Sequence, residues 1–180
     1  MKKLLLVSLL AIFTSYNMLS QETENTKEKD YSSSVSSINA IITNLYAVIS
    51  GEKAQERDWE HFKFLFHPSA KLIPAGKTPE GKIAARHLSP QDYIKTSGAW
   101  LVENGFFEVE INREVQEFGN IAHVFSTYQA YRSAGETEPF MRGINSIQLL
   151  NDGERWWILN VYWTQENESN PIPKQYLPRG

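Results

Sequence analysis

Apolar positions between residues 35 and 50 recur at the spacing of one helical face: Ile38, Ile41, Ile42, Leu45, Tyr46 and Ile49. Gly51 is a natural stop for that helix. Tyr46 stands apart, because its hydroxyl needs a partner if it is buried. After a charged loop at 52–57, Asp58 is placed to cap a second helix over 59–66. Trp59, Phe62 and Phe66 share one of its faces, and Pro68 ends it. Residues 71–74 read as a short strand, 75–81 as a turn-rich loop and 82–88 as a second short strand. The Gly76-Lys77-Thr78 triplet is not a phosphate-binding loop, since Lys71 stands where that motif requires glycine. Ser89, Pro90 and Asp92 then form a strong helix start, and the third helix runs to Asn104, before Gly105. Its apolar set is Tyr93, Ile94, Trp100 and Leu101; Gly98 within it weakens the helix or permits a close backbone approach.

From Phe106 onward the period changes to that of strands, over 106–118, 121–132, 139–150 and 155–164. Gly119-Asn120 and Asn151-Asp152-Gly153 supply hairpin turns, and 133–138 is a polar loop. Strands of about ten residues exceed the usual length. Such a sheet curves, and wrapped on helices it encloses a cone with an apolar interior. The fold class is therefore α+β: three helices, N-terminal to the long strands, packed on a curved and mainly antiparallel sheet. In the last strand Trp156, Ile158, Asn160 and Tyr162 share one face under regular alternation, and Trp157, Leu159, Val161 and Trp163 the other. Both faces are largely apolar. One is expected under the helices and the other against a second copy, as a homodimer.

Composition narrows the class. Hydrophobic residues make up 41% of the 180 and aromatics 12%, enough for one real core. Lys2 and Lys3 followed by the apolar run 4–13 read as a secretory signal peptide over 1–20, too short for a comfortable membrane span. An exported chain, periplasmic or secreted, is expected. Residues 21–34 read as a disordered leader, 35–165 as the domain, and 166–180 as an extended tail held by Pro171, Pro173 and Pro178. Cleavage removes two lysines and no acid, moving the formal charge from -3 to -5. Mild acidity without a Lys/Arg run argues against nucleic acid and anionic membrane surfaces as partners. There is no cysteine, which excludes disulfides, thiolate metal sites and cysteine nucleophiles.

The runs Arg57-Asp58-Trp59 through Leu65-Phe66-His67-Pro68, Gly119-Asn120-Ile121-Ala122-His123-Val124 and Arg142-Gly143-Ile144-Asn145-Ser146, with Asp152-Gly153 and Trp156-Trp157-Ile158, resemble the nuclear transport factor 2-like superfamily. More narrowly the chain resembles its SnoaL-like branch, over residues 34–164. The resemblance implies the cone fold. It does not select an activity, because the superfamily holds isomerases, dehydratases, cyclases and binders without catalysis. Isomerases of the ketosteroid type carry a carboxylate base on the strand after the second helix. Here that run is Lys71-Leu72-Ile73-Pro74-Ala75, without an acid.

The polar candidates for general acid–base work are His67, His87 and Tyr128. Those for ligand contact are Trp59, Phe62, Tyr93, Trp100, Tyr128, Arg142 and Asn145. Arg142 and Asn145 lie three apart, so a regular strand sends only one of them inward. An inward Arg142 would meet a carboxylate-bearing ligand; an outward one would pair with Glu108 or Glu110. His61 and His67 do not share a helical face, so no metal site is expected, and no cofactor. Two functions follow: an exported binder of a small apolar or amphipathic molecule, with isomerase or lyase chemistry as its catalytic form, or a non-catalytic module that dimerises through its outer sheet face.

Overall fold

Ser37 opens the first helix, α1 (Ile38–Ile49), by accepting a hydrogen bond from the Ala40 N–H. Ile41, Ile42, Leu45, Tyr46 and Ile49 are all buried on its inner face. The computed structural model describes residues 29–179; the expected signal peptide and most of the expected leader lie outside them. The leader's last residues are ordered. Lys29 pairs with Asp58 at 2.8 Å, and the Tyr31 ring stacks on His61 at 4.3 Å.

Asp58 caps α2 (Trp59–Leu65), accepting from the His61 N–H at 3.0 Å. A strand, β1 (Phe66–Lys77), starts at once, far earlier than the expected 71–74. Pro68 disfavours helical backbone at His67, and Phe66 already pairs with the last strand. His67 is thus a strand residue, not the helix C-cap its position before Pro68 implies. After β2 (Ile83–Ala85), a capping box of Ser89 and Asp92 starts the third helical run. That run is α3 (Pro90–Tyr93), a π-turn (Ile94–Gly98) and α4 (Ala99–Asn104), where one regular helix was expected. Gly98 is buried, and a Cβ there would lie 3.1 Å from the Trp59 ring, so close approach is what the glycine serves.

The long strands are β3 (Phe107–Phe118), β4 (Ile121–Tyr131), β5 (Met141–Asn151) and β6 (Trp156–Gln165). The sheet order is β2-β1-β6-β5-β4-β3, antiparallel except for the parallel β1–β6 pair. Ile41 and Ile42 of α1 are buried with Val124, Ile147, Leu149 and Ile158 in the core between helices and sheet. In β4, Ala122, Val124, Ser126, Tyr128 and Ala130 are buried. His123 points outward, to Ser146 at 2.9 Å.

Two bulges override simple alternation. In β6, Leu149 pairs with Ile158 but Gln148 pairs with Asn160, leaving Leu159 as an extra residue. The buried phase then shifts from Trp156 and Ile158 to Val161, while Tyr162 is 48% exposed. The regular face assignment for this strand therefore fails at its midpoint. In β3 the register shifts between Glu110 and Asn112, which brings Glu108, Glu110 and Arg113 to the helix side together.

The tail is not a free extension. It returns across the outer sheet face: Thr127 Oγ1 donates to the Tyr176 carbonyl at 2.7 Å, and the Phe125 and Tyr176 rings lie 4.9 Å apart. Ile172 of the tail is 9% exposed. Part of the face that the apolar pattern reserves for a second copy is covered by the chain itself.

Candidate functional site

The cone holds a cavity of about 480 Å³, within the range of small-molecule sites. Leu45 and Ile49 come from α1, Phe62 from α2, Tyr93 from α3 and Trp100 and Leu101 from α4. The sheet contributes Glu108, Tyr128, Met141, Asn145, Val161 and Trp163. Trp100 and Phe140, each about two-fifths exposed, stand at the mouth.

The polar groups at the floor form a directed chain. Asn145 Nδ2 donates to Glu108 Oε1 at 2.9 Å and to the Tyr46 hydroxyl at 3.1 Å. Tyr46 lies 2.6 Å from Ser126 Oγ, which in turn donates to Glu110. Tyr46 thus finds the partners that burial demands of it. Glu110 is held by Arg113 through two contacts of 2.9 and 3.0 Å from Nε, and Arg113 reaches Asn39 of α1 at 3.2 Å. So Glu110 has a counter-ion. Glu108 has none among the described residues; its one side-chain hydrogen bond there comes from Asn145.

That difference sets the electrostatics. Burial pushes the Glu108 carboxyl up to about 7, and the Asn145 hydrogen bond only partly opposes it. Burial and the neighbouring Glu108 keep the Tyr93 and Tyr128 phenols well above their ordinary range, hence protonated. Tyr128 is 2% exposed to bulk solvent and lines the cavity. Gly143 makes room for it: a Cβ there would lie 2.5 Å from the Tyr128 hydroxyl and 2.5 Å from the Thr164 carbonyl. A carboxyl that changes charge near neutral pH can accept a proton, and the protonated phenols beside it can donate to an atom that gains negative charge.

The structure brings Phe62, Tyr93, Trp100, Tyr128 and Asn145 into this lining. It leaves out four other candidates. Trp59 packs against Phe62 and over Gly98, behind the wall. His67 hydrogen-bonds Ser69 at 2.8 Å and meets Trp157 edge-on, outside the cone. His87 is exposed after β2. Arg142, correctly separated from Asn145 by strand parity, pairs in a bidentate manner with Glu166 at 2.6 and 2.9 Å. It meets neither a ligand in the cavity nor Glu108 or Glu110. Among the described residues no three His, Asp or Glu side chains converge as a metal site.

Glu108 is the residue that sequence reasoning missed: it entered only as one of two partners for an outward Arg142. Its signal was the parity of Phe106 and Glu108, a carboxylate in phase with a core aromatic. The carboxyl enters from β3, whereas the strand after α2 indeed carries none on 71–75.

No family model and no curated protein matches the chain. Solved structures do. A protein of unknown function from Pseudomonas putida, described as NTF2-like, superposes with a TM-score of 0.55 at 9% identity, over 76% of this chain and 90% of that one. The fold is that of the nuclear transport factor 2-like proteins. Another neighbour, from Parabacteroides distasonis, carries the provisional name ketosteroid isomerase (TM-score 0.51, 12% identity, 76% and 98% covered). A third, from Thiobacillus denitrificans, carries the provisional name calcium/calmodulin-dependent protein kinase type II association domain (TM-score 0.56, 9% identity, 74% and 98% covered). The likeness shows the NTF2-like fold alone. Its neighbours' names span an enzyme and an association domain, so the site must decide between them.

Proposed function

We propose that this protein binds a small, largely apolar molecule in the cone, with Glu108 as the acid–base group that meets it. The observation that carries the reading is an open aromatic cavity on whose floor Glu108, Asn145, Tyr93 and Tyr128 converge. The walls of an unfilled hollow give up contacts with one another, a cost that a bound molecule restores. Where turnover accompanies binding, the equipment suits an isomerase or lyase: Glu108 removes a proton from carbon and returns it, while the Tyr93 and Tyr128 phenols donate to the oxygen that gains charge. Within the NTF2-like proteins this reading corresponds to the SnoaL-like branch, acting after export through the signal pattern of residues 1–20. The alternative, dimerisation through the outer sheet face, keeps as support the exposed Val115, Phe118, Ile121 and Tyr162. It loses the area that the tail covers.

The test is a thermal-shift panel of small apolar ketones, alcohols, acids and amines. At least one compound is expected to raise the melting temperature by several degrees, and the Val161→Trp variant, which fills the cavity, is expected to lose that response. A panel without any stabilising compound removes the ligand reading. Incubating a binding ketone in heavy water then tests the acid–base role. Deuterium uptake at the carbon beside the carbonyl is expected with the wild type and not with Glu108→Gln.

A further inference from the structure

The charges around the cavity bear on what can enter it. Arg142 was the group that would have welcomed a carboxylate, and its guanidinium is committed to Glu166. Arg132 stacks on Trp100 and Phe140 at 4.7 and 3.9 Å from the ring centroids but does not line the hollow. Among the described residues, no Lys, Arg or His lines the cavity, and two carboxyls, Glu108 and Glu166, do. An anion placed there would lose its hydration and meet no cationic side chain in the lining.

Glu108 also differs from the other enclosed carboxylates. Asp58 has Lys29, Glu110 has Arg113 and Glu166 has Arg142. Glu108 faces Tyr46 from α1, Tyr93 from α3, Tyr128 from β4 and Asn145 from β5. Its own strand adds Glu110, already neutralised by Arg113. None of these supplies positive charge to Glu108. Tyr128 lines the cavity, and its hydroxyl can accept as well as donate. The walls carry the aromatic rings of Phe62, Trp100, Phe106 and Trp163, and aromatic rings attract cations. A site with a lone carboxylate, an accepting hydroxyl and aromatic walls is complementary to an ammonium group.

We propose that the cone takes an amphipathic amine, one ammonium on an apolar body, with Glu108 as its counter-ion. The inference rests on the ligand-binding reading above and is independent of turnover. It also reverses the sign of the ligand charge that an inward Arg142 would imply.

Three probes with one body and different polar ends test it: 3-phenylpropylamine, 3-phenylpropanol and 3-phenylpropanoate, titrated calorimetrically into the purified protein at pH 8. The amine is expected to bind at least tenfold tighter than the alcohol, and the acid weakest of the three. In Glu108→Gln the amine is expected to lose its advantage over the alcohol. A second measurement needs no variant. Amine affinity is expected to rise from pH 5.5 to pH 8 as Glu108 ionises, while the alcohol stays level. If alcohol and amine bind alike, or the acid binds as tightly as the amine, the cavity reading stands and the amine inference falls. If none of the three binds, the ligand-binding reading falls and the amine inference with it.

Discussion

Glu108 and Glu110 are two residues apart on the same concave face, yet their surroundings separate them. Arg113 neutralises one, and the cavity isolates the other. The stability consequence follows from the raised carboxyl. In the unfolded chain Glu108 ionises near its ordinary 4.5; in the folded protein it holds its proton to about 7. Its neutral form is thus favoured by folding, and stability falls as pH rises through that window, by on the order of 3 kcal/mol. Glu108→Gln is expected to flatten this decline and to be the more stable protein at pH 8, as urea unfolding at several pH values would reveal. A wild-type stability that rises from pH 5 to pH 7 would contradict the assignment. Gly143 is the second informative position. Gly143→Ala places a methyl against a backbone carbonyl and the Tyr128 hydroxyl, and the overpacking is expected to cost about 1–3 kcal/mol. Calorimetric melting would register it, together with weaker binding of any cone ligand.

The elements owe their placement to capping groups as much as to apolar faces. Arg57 is 6% exposed and has no carboxylate partner among the described residues. It donates instead to the carbonyls of Ile49 at 3.0 Å, Gly51 at 2.7 Å and Leu101 at 3.1 Å, tying the end of α1 to α4. Arg57→Met would leave those carbonyls without their donor, a loss on the order of 3 kcal/mol measurable by denaturant unfolding. Little change would mean that water replaces the guanidinium. At the start of α2, burial opposes ionisation of Asp58, but hydrogen bonds from Lys29, the His61 N–H and Tyr31 outweigh it and hold the carboxyl at about 2. Here the charged form is favoured by folding. The contribution is whole above the ordinary carboxylate range and is lost as pH falls toward 2. Asp58→Ala is expected to lose about 1 kcal/mol at pH 7 and little at pH 2.

At the scale of the molecule, helices and sheet together enclose the cavity, while the tail covers part of the outer face. A chain ending at Gln165 would lose Glu166, the partner of Arg142, and the cover over Phe125 and Thr127. Light scattering is expected to find that truncated chain self-associating at concentrations where the full chain does not. An unchanged mass would show that the tail guards no adhesive surface.

The sequence by itself determined the elements and the class, because periodicity is a local property. The α1 face, the Ser89 start and the turns at Gly119 and Gly153 all follow from residues within one or two turns of each other. Strand parity likewise separated Arg142 from Asn145. Only tertiary structure decided the rest. A bulge depends on the partner strand, so the phase change at Leu159 and the register shift between Glu110 and Asn112 were invisible to alternation. The early start of β1 needed β6 beside it, and the course of the tail needed the sheet beneath it. A carboxyl's charge state depends on which neutralising groups end up within a few ångströms. That is why Glu108, an ordinary acid in the chain, became the distinctive group of the folded site.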